Sequence, residues 1–220
     1  QVSASIAHDL RNPLGAMRNA TFYLKRHAPA ERPEIAEFCG IIEDEITTAD
    51  GIIGGLLQLT RSSPVNKRRV CLRELVEHAL ARISNAGAVR CHVSTDPDAM
   101  FVEADPAQLQ QVFFNLMKNA TEAMKGNGEF VVEGRVGSEC DVIIVRDNGP
   151  GIREKLPGGI FEPLVTSKTK GTGLGLTICR QIVTRHEGTI ELIKEHRRGA
   201  AFRITLPRGD GTVHARRKDL

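Results

Sequence analysis

Apolar or small residues fall at Ile6, Leu10, Pro13, Met17, Ala20 and Leu24, in steps of 4, 3, 4, 3 and 4. This is a heptad seam, and a seam needs a facing helix. Pro13 lies inside it, removes one backbone hydrogen bond and is expected to bend the helix. The helix should end near Arg26, ahead of Ala28-Pro29. A second helix is expected over about Pro33–Arg61. It carries Ile35, Phe38, Ile42, Ala49, Ile52, Leu56 and Leu59, and also Ile41, Ile46, Ile53 and Leu57. One short partner helix cannot bury so wide a face. Two hairpins pairing into a four-helix bundle would bury it, so a homodimer through the helical hairpin is expected. The alternative is a hairpin packed on its own second domain.

The pattern changes after Ser62-Ser63-Pro64-Val65-Asn66-Lys67-Arg68-Arg69, which reads as a linker. Beyond it, short strands are expected at 70–71, 88–94, 100–104, 129–136, 141–146, 189–194 and 200–206. Helices are expected at 72–83, 106–124 and 174–187, the second with Pro106 in its first turn. Residues 149–172, rich in Gly and Pro, read as a mobile loop. Strands in one layer and helices in the other make an α+β sandwich. The domain boundaries expected are therefore 1–63 for the hairpin, 64–69 for a linker, 70–208 for the sandwich and 209–220 for a polar tail.

Composition narrows the function classes. Apolar residues make up 40% of the 220, enough for a core, so disorder throughout is excluded. Thirty Lys and Arg against 27 Asp and Glu leave +3, too balanced to require nucleic acid or an anionic membrane as partner. With no Trp and one Tyr, a base-stacking surface has little to be built from. No apolar run approaches a membrane span, so this fragment is expected to make no membrane contact. Its five cysteines form no CxxC pair, which suits reduced thiols in a cytoplasmic compartment. The chain opens on Gln1 with a helix already under way, and reads as a fragment of a longer protein.

Four motifs carry chemistry. In Ser5-Ile6-Ala7-His8-Asp9-Leu10-Arg11-Asn12-Pro13-Leu14, His8 stands about 200° around the helix from Ile6 and from Leu10. It is thus off the seam and facing water. An exposed imidazole beside an acid, Asp9, suits a nucleophile. In Asn115-Leu116-Met117-Lys118-Asn119-Ala120, two amides spaced i, i+4 emerge on one helical face. They suit Mg²⁺ already carried by phosphates. Asp147-Asn148-Gly149-Pro150-Gly151-Ile152 follows an apolar strand. A carboxylate there can accept from an exocyclic amine such as that of adenine, and the glycines allow a ligand to approach the backbone. Gly171-Thr172-Gly173-Leu174-Gly175-Leu176 opens a helix whose N–H groups form a phosphate cradle. Lys168 and Lys170, just upstream, could reach those phosphates, although loop lysines are more often merely solvated.

In order and separation these motifs resemble the histidine kinase core of two-component systems: a phospho-acceptor His box, an N box and two glycine boxes. Ile160-Phe161-Glu162-Pro163-Leu164 resembles the family's F box. The resemblance covers residues 1–206. It implies a dimerisation and histidine-phosphotransfer domain, then a Bergerat-type ATP-binding domain of the histidine kinase, gyrase B and Hsp90 kind. It implies ATP and Mg²⁺ as cofactors and the receiver domain of a response regulator as partner. His8 is implied as the residue phosphorylated from ATP before transfer to an Asp of the regulator. Asp9 is the implied base, and Asn12 would orient the water of a phosphatase reaction on the regulator. Asn119 is the implied metal ligand, with Asn115 in support. Asp147 would read adenine, with Gly149 and Gly151 shaping its pocket. Lys168, Gly171, Thr172, Gly173, Leu174 and Gly175 would hold the phosphates. The acid after His8 is Asp rather than the commoner Glu, and no aromatic follows Pro163. Two other readings remain open: a non-catalytic dimeric nucleotide-binding scaffold, and an ATP-hydrolysing clamp of the gyrase or MutL type. The clamp enzymes carry a catalytic Glu where this chain has Asn115.

Overall fold

The computed structural model describes residues 2–28, 32–60, 64–83, 88–152, 159–166, 168, 171–194 and 198–208, with side chains from Leu10 onward apart from that of Ala88. The chain divides into two compact units. One comprises Gln1–Ser63 with Lys155–Ile178, the other Pro64–Glu154 with Cys179–Leu220.

The first unit is built on two helices, α1 (Val2–His27) and α2 (Pro33–Thr60). α1 passes through Pro13 without a break and ends on Lys25, Arg26 and His27, cations that complement the negative end of the helix dipole. α2 opens on Pro33 and Glu34, which suit a helix start. Two ion pairs set the register: Arg18 to Asp50 at 2.7 Å and Lys25 to Glu43 at 2.9 Å. As the α1 number rises the α2 number falls, so the helices run antiparallel. Thr21, Cys39 and Ile46 are buried, and the Thr21 hydroxyl donates to the backbone at Met17 and Arg18. Leu10, Met17 and Leu24, three members of the heptad seam, are about half exposed, as are Phe38, Ile41, Ile42 and Leu56 on α2. Among the described residues of one chain, nothing covers these seam positions.

Three glycines, Gly51, Gly54 and Gly55, interrupt the middle of α2, where each costs about 1 kcal/mol of helix propensity. Gly55 has a steric reason, because a Cβ there would lie 2.5 Å from Leu174 Cδ1. Leu174, 1% exposed, fills that gap.

The second unit contains β1 (Arg68–Cys71), α3 (Leu72–Ala81), β2 (Ala88–Asp96), β3 (Phe101–Ala104), α4 (Pro106–Ala123), β4 (Asn127–Arg135) and β5 (Cys140–Asp147). After them come most of α5 (Gly175–Arg185), then β6 (Thr189–Leu192) and β7 (Ala201–Pro207). β1 and β3 form a two-stranded antiparallel sheet. The other five strands lie in the order β2-β4-β5-β7-β6, with β2 parallel to β4 and the rest antiparallel. The strands flanking Asp96-Pro97-Asp98 therefore do not pair with each other. β2 leads through β3 and α4 into β4, the long crossover that a parallel pair requires.

Residues alternate along the sheet. Phe130, Val132, Ile143, Val145, Ile204 and Leu206 are buried, together with Leu109, Val112, Phe113, Leu116 and Met117 of α4 and Leu72, Leu75 and Val76 of α3. In between, Glu133 pairs with Arg146, and His92 Nε2 lies 3.0 Å from Glu129. One apolar face under helices and one charged face in water is the pattern of a two-layer sandwich.

α4 begins at Asp105, whose Oδ1 accepts from Ala107 N at 3.1 Å and Gln108 N at 3.2 Å. Burial works to raise that carboxyl, but N–H bonds from Asn66, Gln108 and Ala107 hold it below the ordinary value. The same residue's N–H donates to Nε2 of His186 at 2.9 Å, and His186 Nδ1 lies 2.8 Å from Ile182 O. The ring proton therefore sits on Nδ1, and the buried imidazole pins α5 to the start of α4.

At the opposite end of β5 from Asp147, Asp141 is 3% exposed and its Oδ1 has no hydrogen-bond partner among the described residues. Burial raises its carboxyl above the usual value, against the lowering effects of Arg208 and the Gly137 N–H. A raised carboxyl binds its proton more tightly in the folded state. Its contribution is fully present below the unfolded-state value and declines as pH rises through the folded one. Asp141→Asn is therefore expected to stabilise the fold at pH 7 by about 1 kcal/mol, the low end for an unsatisfied buried group. It should also flatten the decline above pH 4, as read from urea midpoints at several pH values.

Candidate nucleotide-binding site

In the second unit, the first glycine motif is built at the end of β5. Asp147 N donates to Ala200 O at 2.9 Å, continuing the β5–β7 ladder by one bond. Its side chain then turns the chain: Oδ1 accepts from Gly149 N at 2.8 Å and from Ala200 N at 3.3 Å. This is an Asx turn, a local loop-forming habit of Asp. Among the described residues nothing bonds Oδ2, so one oxygen shapes the loop and the other stays available as an acceptor. Asn148 fastens the loop to β4, accepting from Glu129 N at 3.0 Å while its own N–H donates to Glu129 O at 3.2 Å. Gly151 follows with φ of +80°. Gly149 and Gly151 line a cavity of about 370 Å³ whose far wall includes Lys194 and Arg198.

The two amides of the N box lie differently. Asn119, on the α4 surface, is partly exposed. Asn115 is 9% exposed. Its Oδ1 accepts from Gln111 Nε2 at 2.9 Å, and its side chain bonds the Cys179 thiol. Neither amide lines the cavity behind the glycine loop. Spacing alone placed Asn115 and Asn119 on one face. Sequence reasoning missed Gln111 and Cys179 as partners of Asn115; Gln111 could have been found at i−4.

The second glycine motif lies in the first unit, where α5 opens at Gly175 and Ile178 N donates to Leu174 O at 2.9 Å. Gly173 has φ of +67°, and a Cβ there would lie 2.5 Å from the Leu164 carbonyl carbon and 2.7 Å from Val165 N. No side chain fits that approach. Gly171 N donates to Lys168 O at 3.4 Å, and Lys168 N donates to Thr166 Oγ1 at 3.1 Å. Thr172 Oγ1 lies 3.5 Å from Leu174 N. In the turn's first helical residues, Thr177 is 7% exposed, and its hydroxyl has no partner among the described residues. In the F-box segment Phe161 is half-buried, whereas Leu164, which lacks the aromatic ring, is 57% exposed.

His8 and Asp9 lie on α1, but their side chains are outside the described residues. Asn12, one turn further, is exposed. All five cysteines are free thiols. Burial pushes Cys179 up to about 12 and Cys91 up to about 11, so neither is a nucleophile at neutral pH. Among the described residues no helix is long and apolar enough to cross a membrane.

Each glycine motif, within its own unit, carries groups of the kind a nucleotide takes. An acceptor oxygen projects from a glycine loop in one unit. A helix start with a side-chain-free turn stands in the other, near a Thr177 hydroxyl that has no partner among the described residues. An antiparallel helical hairpin joined to a two-layer sandwich that carries these glycine motifs is the architecture two family models describe. Residues 1–64 match the His Kinase A phospho-acceptor domain, and residues 104–210 match the histidine kinase-, DNA gyrase B- and HSP90-like ATPase.

The chain belongs to the histidine kinases, as a core of the two-component type. It is 30% identical to the sensor histidine kinase ZraS of Escherichia coli K12 over 221 residues, covering 99% of this chain and 46% of that protein. It is similar to the solved catalytic domain of histidine kinase ThkA, with 32% identity and a TM-score of 0.57 over 65% of this chain and 96% of that one. ThkA in complex with the response regulator protein TrrA is also similar, with 26% identity and a TM-score of 0.68 over 94% and 61%. The chain spans less than half the length of the curated relatives it matches.

Proposed function

We propose that this chain uses ATP to phosphorylate itself on His8 and hands the phosphoryl group to an aspartate of a response regulator. The observation that carries the reading is the division of labour at Asp147. One carboxylate oxygen holds the glycine loop, and the other stays open at a strand end to an exocyclic amine. The His8 imidazole attacks the γ-phosphorus, an N–P bond forms, and the bond from phosphorus to the ADP oxygen breaks. Asp9 takes the N–H proton that the ring must lose. Asn119 would hold Mg²⁺, which when bound neutralises phosphate charge. The backbone N–H groups at the start of α5 and the turn around Gly173 hold the phosphates in place, and positioning supplies much of the rate. The phosphoramidate is then attacked by a carboxylate of the regulator, as suits a chain similar to a kinase solved with its regulator. Asn12, one turn along the helix from His8, orients water when the regulator is dephosphorylated.

The uncovered seam supports a homodimer. Leu10, Met17 and Leu24 with Phe38, Ile42 and Leu56 are exposed apolar residues at helical spacing, and a second hairpin buries them in a four-helix bundle. We place the phosphotransfer domain at 1–63 and the ATP-binding domain at 70–208, with the hinge in the 64–69 linker ahead of Arg68, where the paired strand β1 begins.

With Mg²⁺ and ATP labelled at the γ-phosphorus, the chain is expected to take up label that survives alkali and is lost in acid. Nucleotide binding without any such label would make it a scaffold, and free phosphate released far faster than label is taken up would make it a hydrolase.

A further inference from the structure

Asn115 is buried between two helices although it belongs to a motif read as ligand-binding. Its carbonyl oxygen accepts from Gln111 Nε2 at 2.9 Å, its amide bonds Cys179, and Cys179 Sγ lies 3.7 Å from Val112 O. Cys179 is fully buried. Gln111, Val112 and Asn115 all stand on α4, and Cys179 stands on α5. The two ends of the Asn115 amide are thus both engaged, one along its own helix and one across to its neighbour.

Apolar residues on the two helices are buried: Val112, Leu116 and Met117 of α4, and Ile182 and Val183 of α5. Apolar contact is non-directional and tolerates rotation of a helix about its axis. A hydrogen bond with both ends fixed does not. Asn119 lies one turn beyond Asn115 on the same face, so its direction follows the rotation of α4.

We propose that Gln111 and Cys179 are positioning residues for the nucleotide site. By clamping Asn115 into the α4–α5 interface, they set the rotation of α4 and so aim the amide of Asn119, which acts as ligand without Asn115. The inference rests on the proposed function and deepens it.

The test compares Cys179→Val, Cys179→Ser and Gln111→Leu in the intact chain, measuring KM and kcat for Mg-ATP in self-labelling. Thermal melting serves as the check on folding, and Asn119→Ala as the control. Valine fills the space of the thiol but offers no hydrogen bond, whereas a serine hydroxyl can make both. Cys179→Val and Gln111→Leu are expected to raise KM about 5- to 10-fold with kcat within about 2-fold, and Cys179→Ser to stay near the parent. An unchanged KM in folded Cys179→Val and Gln111→Leu overturns the clamp. So does a Cys179→Ser chain as impaired as the valine variant, because packing would then explain the effect. If Asn119→Ala also leaves KM unchanged, the nucleotide reading itself falls and takes the clamp with it.

Discussion

A His8→Gln chain is expected to take up no acid-labile phosphoryl label while binding ATP as tightly as its parent. Glutamine keeps polarity and helix propensity, so α1 is undisturbed. It has no unprotonated ring nitrogen to attack phosphorus, and the amide nitrogen is not a nucleophile. The nucleotide contacts proposed here come from the sandwich and the glycine turn, so affinity should not move. Labelling and equilibrium binding of a fluorescent ATP analogue separate the two. Full-strength acid-labile label in the glutamine variant would place the acceptor elsewhere: His27, His78, His92 and His186 are the other described imidazoles. His186 is the weakest of these alternatives, being 1% exposed and bonded through both ring nitrogens.

The sandwich was legible because its signals are local. Pro106, for one, marked the start of α4. Each observed element lies within about two residues of its expectation. β1 starts at Arg68 rather than Val70 because two arginines carry no strand signal of their own. Their places in the strand come from pairing with Ala104 and Glu103 across the ladder, and the Arg69 guanidinium lies 4.6 Å over the Phe101 ring. Strand order was not legible, since β2 and β3 are neighbours in sequence yet belong to different sheets.

The heptad seam of α1 shows the same limit. Spacing identified the stripe, but within one chain Leu10, Met17 and Leu24 face outward while Thr21 is buried. Periodicity reports which residues share a face, not which surface covers them. Gly55 of α2 had no sequence reading, because its reason is a leucine more than a hundred residues away. At the site, the positions of Asp147 and Gly173 follow from local turn chemistry and could be read directly. The burial of Asn115 depends on Cys179 from a distant helix and could not.

The open oxygen of Asp147 gives the second large prediction, because two substitutions divide its roles. Asn at this position retains a carbonyl oxygen that can accept from Gly149 N and Ala200 N, so the loop keeps its turn. It replaces the free acceptor with an NH₂ group, which would face the adenine amine donor to donor. A lost hydrogen bond to a charged group costs about 1.5–3 kcal/mol, so Asp147→Asn is expected to weaken ATP binding by roughly 10- to 100-fold with little change in melting. Ala removes both roles, leaving the Gly149 and Ala200 N–H groups without their acceptor. Asp147→Ala should therefore lose as much affinity and also about 1–2 kcal/mol of stability. GTP, whose ring carries a carbonyl where adenine carries its amine, should gain on ATP in the Asn variant, since the new NH₂ can donate to it. If Asp147→Asn binds ATP as the parent does, the carboxylate only builds the loop, and the nucleotide is read by another group.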